Sequence, residues 1–446
     1  MTERFGSKRW SVLIIFGLLG QIAWSVENMF FNTFVYNDIA PNLDTVSLMV
    51  QLSGITATVV TLVAGVLSDK LGDRRRFISI GYIIWGITVV LFGCISEELV
   101  GSIFGISGEA AVRWALIIAV VGDCVMTFFG STANDAAFNA WVTDNTKRSF
   151  RGTVEGVLST LPLIAMLIVA GGFGILRDLV GGYPNLFFIL GVLISLSGVL
   201  GIFMIKEAPS LERCGGMKDI FFGFTPSVIK KYVPFYLTLL VVLVYSVASQ
   251  VFMPYIMIYM EKSLGFSAIE YSLSFGGAIL LGAILNVFLG RLSDRYDKSK
   301  LLYIAAGVMT AGLLVMFFVK GENHYLNLAL FSLGGFVMIS GYVFVLLLTG
   351  SLLRDYTPVG ASGKMQGVRM TASVLLPMLI GPVIGNAVNR TFGGDLKAPG
   401  DAILTTKYLP APEMFLFAAL IMLLSFALIP VLSHFVKRAP AVTDAE

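Results

Sequence analysis

The sequence predicts an all-α membrane protein of twelve transmembrane helices in two six-helix pseudo-symmetric bundles. Three observations predict it: the composition, twelve long apolar runs, and an internal repeat. Of 446 residues, 56% are hydrophobic and only 13% are charged, against about 45–50% and about 25% in an average soluble domain. So few charges cannot cover a water-soluble fold of this size. Spanning the hydrocarbon takes about 20 mostly apolar residues, because each backbone N–H and C=O must be satisfied within the segment.

Twelve such runs occur, at 11–36, 46–68, 77–95, 114–141, 152–175, 183–205, 233–259, 267–290, 300–319, 326–350, 364–387 and 413–435. The basic start, with Arg4, Lys8 and Arg9, imitates a signal peptide. The run that follows is too long, however, and lacks a small-residue cleavage site. Cys94, Cys124 and Cys214 fall on separate segments without metal spacing, so neither a disulfide framework nor a metal site is expected.

The basic residues set the orientation. With a cytoplasmic N-terminus, 24 of the 31 Lys and Arg fall in inner segments. The outer side receives the other 7: Arg113, Arg177, Lys262, Lys320, Arg390, Lys397 and Lys407. This positive-inside bias predicts a multi-pass protein of the cell (inner) membrane with both termini cytoplasmic. The net charge of +3 follows from the same loops and implies no nucleic acid.

The halves repeat one another. Gly65-Val-Leu-Ser-Asp69-Lys-Leu-Gly72-Asp-Arg74-Arg75-Arg76 follows the second span, and Gly290-Arg-Leu-Ser-Asp294-Arg-Tyr-Asp297-Lys-Ser-Lys follows the eighth, 225 residues later. A second match, Gly152-Thr-Val-Glu-Gly-Val against Gly363-Lys-Met-Gln-Gly-Val, is offset by 211. The difference of 14 fits a longer loop before the fourth span. Domains are expected at 1–206 and 232–446, joined by a cytoplasmic linker at 207–231. The linker's Phe221, Phe222 and Phe224 suggest a piece lying along the membrane surface.

The glycine-rich loop resembles the signature of the major facilitator superfamily. It is near-complete after the second span, while Asp297 replaces its second glycine after the eighth. The resemblance covers the whole chain and implies the major facilitator fold, with transport by rocking of two parallel six-helix repeats. It implies a cytoplasmic gate of Gly65, Asp69, Gly72, Arg75, Arg76 and Asp294. A carboxylate at a helix N-terminus favours such a latch electrostatically, whereas the arginines taken alone only obey the positive-inside rule.

Polar groups inside the spans carry whatever chemistry there is. No Lys or Arg lies in mid-span, but Glu27, Asp123 and Asp135 do. An acid in hydrocarbon costs a few kcal/mol, so it faces a cavity or a partner. At 100° per residue, Asp123, Thr127, Ser131 and Asn134 share one face of the fourth span with Asp135 at its edge. Gln21, Trp24, Ser25, Asn28 and Asn32 form a stripe on the first, matched by Ser246, Ser249 and Gln250 on the seventh. The expected substrate-binding set is Gln21, Trp24, Glu27, Asn28, Asn32, Asp123, Asp135, Asn139, Ser246 and Gln250, with Glu27, Asp123 and Asp135 coupling the ion. A buried structural network is the plainer alternative.

Asp135-Ala-Ala-Phe-Asn139-Ala-Trp141-Val-Thr-Asp144, followed by Lys147, Arg148 and Arg151, is similar to the fourth-to-fifth-helix signature of the glycoside–pentoside–hexuronide cation symporters. Gln21-x-x-Trp24 is similar to the first helix of sucrose-type proton symporters. The resemblance implies a sugar or glycoside as substrate. The second span carries no acid before Asp69, unlike the sodium-coupled members, which favours a proton over sodium. Neither histidine, His324 or His434, lies in a span core.

The rival transporter is a proton-coupled drug or metabolite exporter. Its G-P-x-x-G motif is missing from the fifth span, and Gly381-Pro-Val-Ile-Gly385 stands in the eleventh, where close packing explains it. A transporter-like sensor is the rival of another class, though no appended soluble domain to signal is expected. No nucleophile motif, phosphate loop, metal cluster or cofactor motif is present, so an enzyme is not expected. The expected partners are a small-molecule substrate, a proton or sodium ion and the lipid bilayer, with the protein monomeric. Asn389-Arg390-Thr391 matches a glycosylation acceptor, a three-residue pattern frequent by chance.

Overall fold

The computed structural model describes residues 6–146, 151–207, 217–293, 296–320, 323–357, 362–394 and 408–438. Among them are twelve helices long and apolar enough to cross a membrane: α1 (Ser7–Ile39), α2 (Leu43–Ser68), α3 (Arg74–Gly93), α4 (Glu109–Asn145), α5 (Thr160–Val180), α6 (Tyr183–Met204), α7 (Val233–Ser263), α8 (Ala268–Leu285), α9 (Lys298–Phe317), α10 (His324–Asp355), α11 (Gly367–Phe392) and α12 (Glu413–Arg438). α1, α4 and α10 run several residues beyond their apolar cores. Their polar ends stay helical because the backbone ladder still needs partners there.

The chain divides at residue 216 into two compact units, one built from α1–α6 and the other from α7–α12. The expected linker is shared between them. Glu207 is tied to α3, whereas a 3-10 turn at Met217–Phe224 and a short helix at Pro226–Lys231 belong to the second unit. The Tyr236 hydroxyl donates to the Gly223 carbonyl, and Phe221 stands 67% exposed.

Within each unit the helices meet at glycines. Without a hydrophobic drive between helices in lipid, close van der Waals approach has to supply cohesion, and small residues permit it. In the first unit, a Cβ on Gly86 of α3 would come within 2.2 Å of the Gly191 carbonyl of α6. A Cβ on Gly198 would meet the Ile83 nitrogen at 2.6 Å. In the second, Gly312 and Gly341 place α9 and α10 in backbone contact, where an added Cβ would come within 2.2 Å of the Met338 and Met309 nitrogens respectively. Gly381 and Gly385 seat α11 on Gln250 and Val251 of α7, and the Tyr255 hydroxyl donates to the Pro382 carbonyl at 2.8 Å. The glycine–proline pattern of α11 is thus a packing device.

Two local details bear on the sequence motifs. Asn389 is fully buried and its Oδ1 accepts from the Ala411 N–H at 2.9 Å, so this amide fastens the start of α12 and is closed to glycosylation. His324 opens α10, outside the span core as expected, and its Nε2 is 2.7 Å from Glu270 Oε1.

Gly86→Ala is expected to destabilise the protein by about 1–3 kcal/mol through overpacking. Gly277→Ala, where a Cβ meets nothing within 4 Å, should be neutral. Thermal unfolding of the two variants in detergent micelles measures the difference.

Candidate functional site

Glu27 is 7% exposed and joins three helices of the first unit. Its Oε1 accepts from Ser53 Oγ of α2 at 2.8 Å and from Thr127 Oγ1 of α4 at 3.1 Å. The two hydroxyls are themselves 2.7 Å apart. Asp123, one turn above Thr127 on α4, is 2% exposed and close enough to Glu27 to interact electrostatically. Glu27 Oε2 and Asp123 Oδ1 are buried without a hydrogen-bond partner. Buried polar atoms are rarely left so. None of the ion pairs among the described residues involves either carboxyl.

Below this knot, Ser131 Oγ donates to Asp135 Oδ2 at 3.1 Å. The Trp24 indole N–H is buried beside the Asp135 carboxyl without closing a hydrogen bond of ordinary length. Trp24 rests on Trp85 with ring centroids 5.2 Å apart. Gly130 makes room for both, since a Cβ there would lie 2.8 Å from Trp85 and 3.1 Å from Trp24.

Wide π-helical turns lie at both positions, over Glu27–Phe31 and Ser131–Phe138. Such turns shift side-chain register and are frequent at functional sites. One consequence alters the predicted stripe on α1: Asn32 is 3% exposed and buried in the helix packing, while Asn28 is exposed. Each amide donates to its own helix, Asn28 to the Trp24 carbonyl at 2.8 Å and Asn32 to the Asn28 carbonyl at 3.1 Å. Asn139 is exposed and donates to the Asp135 carbonyl at 3.1 Å. Gln21 is half-buried. Asn134 leaves the polar column for a structural network, donating to the Tyr82 hydroxyl at 2.6 Å, which donates to the Phe16 carbonyl at 2.7 Å. In the second unit Ser246 and Gln250 are half-buried on α7, and Ser249 donates to the Tyr245 carbonyl at 2.9 Å.

The glycine-rich loop is organised around Arg74, which the sequence reading treated only as one of three loop charges. Its side chain is 5% exposed and its Nε is 3.1 Å from Asp144 Oδ2 at the end of α4. Its Nη1 donates to Ser68 Oγ at 2.5 Å. Gly72 turns the chain with φ +66°, a left-handed conformation favouring glycine. Asp73 then caps α3 through the Arg76 N–H at 3.0 Å and pairs with the Arg76 side chain. Arg75 bridges α3 and α6: its N–H donates to Glu207 Oε1 at 2.5 Å, and its guanidinium to the Ile202 carbonyl. Burial pushes the Glu207 carboxyl above the usual range. Gly65 accepts from Ser68 Oγ at 3.0 Å. The Asp69 side chain and all of Asp294 lie outside the described residues. In the second unit Lys298 Nζ meets Asp355 Oδ2 at 2.5 Å, repeating the Arg74–Asp144 clamp in the equivalent place.

The Major Facilitator Superfamily model matches residues 13–382 and 238–445. The chain belongs to that superfamily. No curated protein sequence matches it. Among solved structures it is similar to a bacterial homologue of the human lysosomal transporter Spinster, in an inward-facing and unoccupied conformation. That likeness has 14% identity, covers 96% of this chain and 97% of the other, and has a TM-score of 0.70. It is also similar to the nucleoside transporter NupG, with 12% identity, 94% and 98% coverage and a TM-score of 0.68. At these identities the likeness is one of fold. Superfamily membership makes the protein a multi-pass membrane transporter and not an enzyme. The match does not reach down to the glycoside–pentoside–hexuronide symporters.

Ser53 carries no signal in a search of α2 for acids. Its signal is a row of small hydroxyl residues, Ser47, Ser53, Thr58 and Thr61, which are all buried. Asp144→Ala is expected to lower stability by about 1–3 kcal/mol, since it leaves a buried guanidinium short of its partner. The exposed pair Arg113–Glu109 should contribute under about 1 kcal/mol. Thermal unfolding of Asp144→Ala and Arg113→Ala distinguishes them.

Proposed function

We propose that this superfamily member is a secondary active transporter of a small polar solute, a sugar or glycoside, coupled to a proton gradient with Glu27 as the coupling carboxyl. One observation carries the reading: a carboxyl buried at the meeting of α1, α2 and α4, held by two hydroxyls and opposed by no cation among the described residues. Ser53 and Thr127 both direct their hydroxyls at Glu27 Oε1 and stand 2.7 Å from one another. With Oε1 already accepting from both hydroxyls, the carboxyl's own proton has its seat on Oε2, which is buried without a partner. Loss of that proton leaves an uncompensated charge beside Asp123, which favours rearrangement of the helices holding it. Asp135, hydrogen-bonded by Ser131, is a second station on the same column.

For the solute, the exposed amides of Asn28 and Asn139, with half-buried Gln21 and the Trp24 ring, offer paired hydrogen bonds and an apolar face. A sodium-coupled reading has one specific support: Glu27, Asp123, Ser53 and Thr127 together present an all-oxygen set suited to a hard cation. The proton is preferred because the hydroxyls already fill one carboxylate oxygen. We place the protein in the inner membrane with both termini and the 207–231 segment cytoplasmic, following the basic residues. The gate role of Asp69, Arg75 and Arg76 is part of this reading.

The test is uptake of labelled sugars, glycosides and nucleosides into proteoliposomes, with an imposed pH or sodium gradient. Glu27→Gln should abolish uphill accumulation while leaving exchange down the solute's own gradient. Accumulation by the Gln variant at the wild-type rate would hand the role to Asp123 or Asp135. Orientation is checked by labelling single cysteines from either side in a cysteine-free background. A cysteine at Lys230 is expected to react from the cytoplasmic side alone, and reaction from outside would reverse the topology.

A further inference from the structure

The offset between the two sequence repeats falls from 225 to 211 within the first half. In that interval the connection from α3 to α4 contains an additional helix, Glu97–Phe104. In the second unit the connection from α9 to α10 has no helix among its described residues. The added helix is firmly ended: Ser96 Oγ accepts from the Leu99 N–H at 3.1 Å, and Gly105 closes it with φ +67°.

Six of its eight residues fall on three successive faces. Glu98 and Ser102 stand together and are exposed. Leu99 and Ile103 occupy the next sector and are also exposed, at 42% and 65%. Val100 and Phe104 follow; Val100 is 3% exposed against the protein, and Phe104 stacks on Trp114 of α4 with centroids 5.9 Å apart. A helix lying in water has no use for an apolar sector separate from the one it packs on the protein.

Trp114 tells what covers that sector. It heads a stripe on α4, Trp114, Ile117, Val121, Val125 and Phe128, each 43–55% exposed. Spaced by three or four residues in a membrane span, this stripe is the lipid-facing side of α4. Phe104, 56% exposed, joins it through Trp114, and exposed Leu99 and Ile103 fill the adjoining sector of the short helix, at the membrane face opposite the termini, three crossings from the start. Tryptophan is favoured at that depth, and amphipathic helices lie in the interface with one face in the acyl boundary. The surrounding charges are Glu97, Glu98 and Glu109, with Arg113 paired to Glu109. Such a rim does not attract anionic headgroups.

We propose that the Glu97–Phe104 helix is an interfacial anchor that binds a zwitterionic lipid surface through Leu99, Ile103, Phe104 and Trp114. It fixes the end of α4 at the membrane boundary. Because α4 also carries Asp123, Thr127 and Asp135, the anchor sets their depth.

Spin labels placed one at a time at Glu98, Leu99, Ser102 and Ile103, as Glu98→Cys, Leu99→Cys, Ser102→Cys and Ile103→Cys, test this. The labels are read in the full chain with Cys94, Cys124 and Cys214 replaced, reconstituted in phosphatidylcholine vesicles. Labels at 99 and 103 should collide with oxygen more than with a water-soluble nickel chelate, and labels at 98 and 102 the reverse. Nickel access at all four positions overturns the proposal by placing the helix in water. Exclusion of both reagents at 99 and 103 overturns it by showing a protein partner, such as a second copy. As a measurement on the otherwise unaltered protein, brominated phosphatidylcholine should quench wild-type emission more than that of Trp114→Phe. Equal quenching also overturns it.

Discussion

A carboxyl group in hydrocarbon is tolerated only if something holds it, and the arrangement around Glu27 depends on that constraint. Ser53 and Thr127 each reach Glu27 from a different helix, so α1, α2 and α4 are tied at a single oxygen. Their backbones approach closely enough because glycines stand where side chains would intrude. Gly20 is one, where a Cβ would come within 1.8 Å of Asn134 Nδ2, and Gly130 beneath the tryptophan pair is another. Enlarging either residue would press directly on the column that carries the acids. The packing of this unit and its chemistry are therefore not separable.

α4 links the regions described above. Asp123, Thr127, Ser131, Asp135, Asn139 and Thr143 recur at every fourth residue. In an uninterrupted α-helix each such step overshoots by about 40°, so the series would wind well round the helix before Asn139. The π-helical stretch from Ser131 to Phe138 turns more slowly per residue and carries part of that rotation back. Asp135 can then meet both Ser131 and the surroundings of Trp24 on α1. At its end α4 is clamped by Asp144 to Arg74, so a movement of the acids along the helix axis is resisted there.

The fold was legible in the sequence because its signals are long and redundant: twelve apolar runs, a charge bias and two repeated motifs. The acids were legible as well, since Glu27, Asp123 and Asp135 are carboxyls in otherwise uncharged apolar runs. Their partners were harder to find. Ser53 has no signature apart from those of other small residues on α2, because a hydroxyl in a membrane helix can satisfy itself on its own backbone, as Thr58 does with the Gly54 carbonyl. Asn32 was misplaced because a regular 100° step was carried across the π-helical turn at Glu27–Phe31. Arg74 was indistinguishable from Arg75 and Arg76 in a basic loop. Only the fold shows that one guanidinium is buried, another bridges to α6 and the third pairs locally with Asp73.

The two units share a skeleton and differ in charge. The clamp appears twice, as Arg74 with Asp144 and as Lys298 with Asp355, and both units are assembled on glycine contacts. Yet the buried charged groups among the described residues, Glu27, Arg74 and Asp123, all lie in the first unit. On α7 the residues equivalent to the stripe of α1 are neutral, and Gly381 and Gly385 of α11 press against that helix. α7 is neutral and tightly packed there, whereas the knot of α1, α2 and α4 holds carboxyls that no ion pair among the described residues compensates. The buried carboxyls among the described residues are therefore a feature of the first unit alone, and the duplicated clamp supplies a matching end for each repeat.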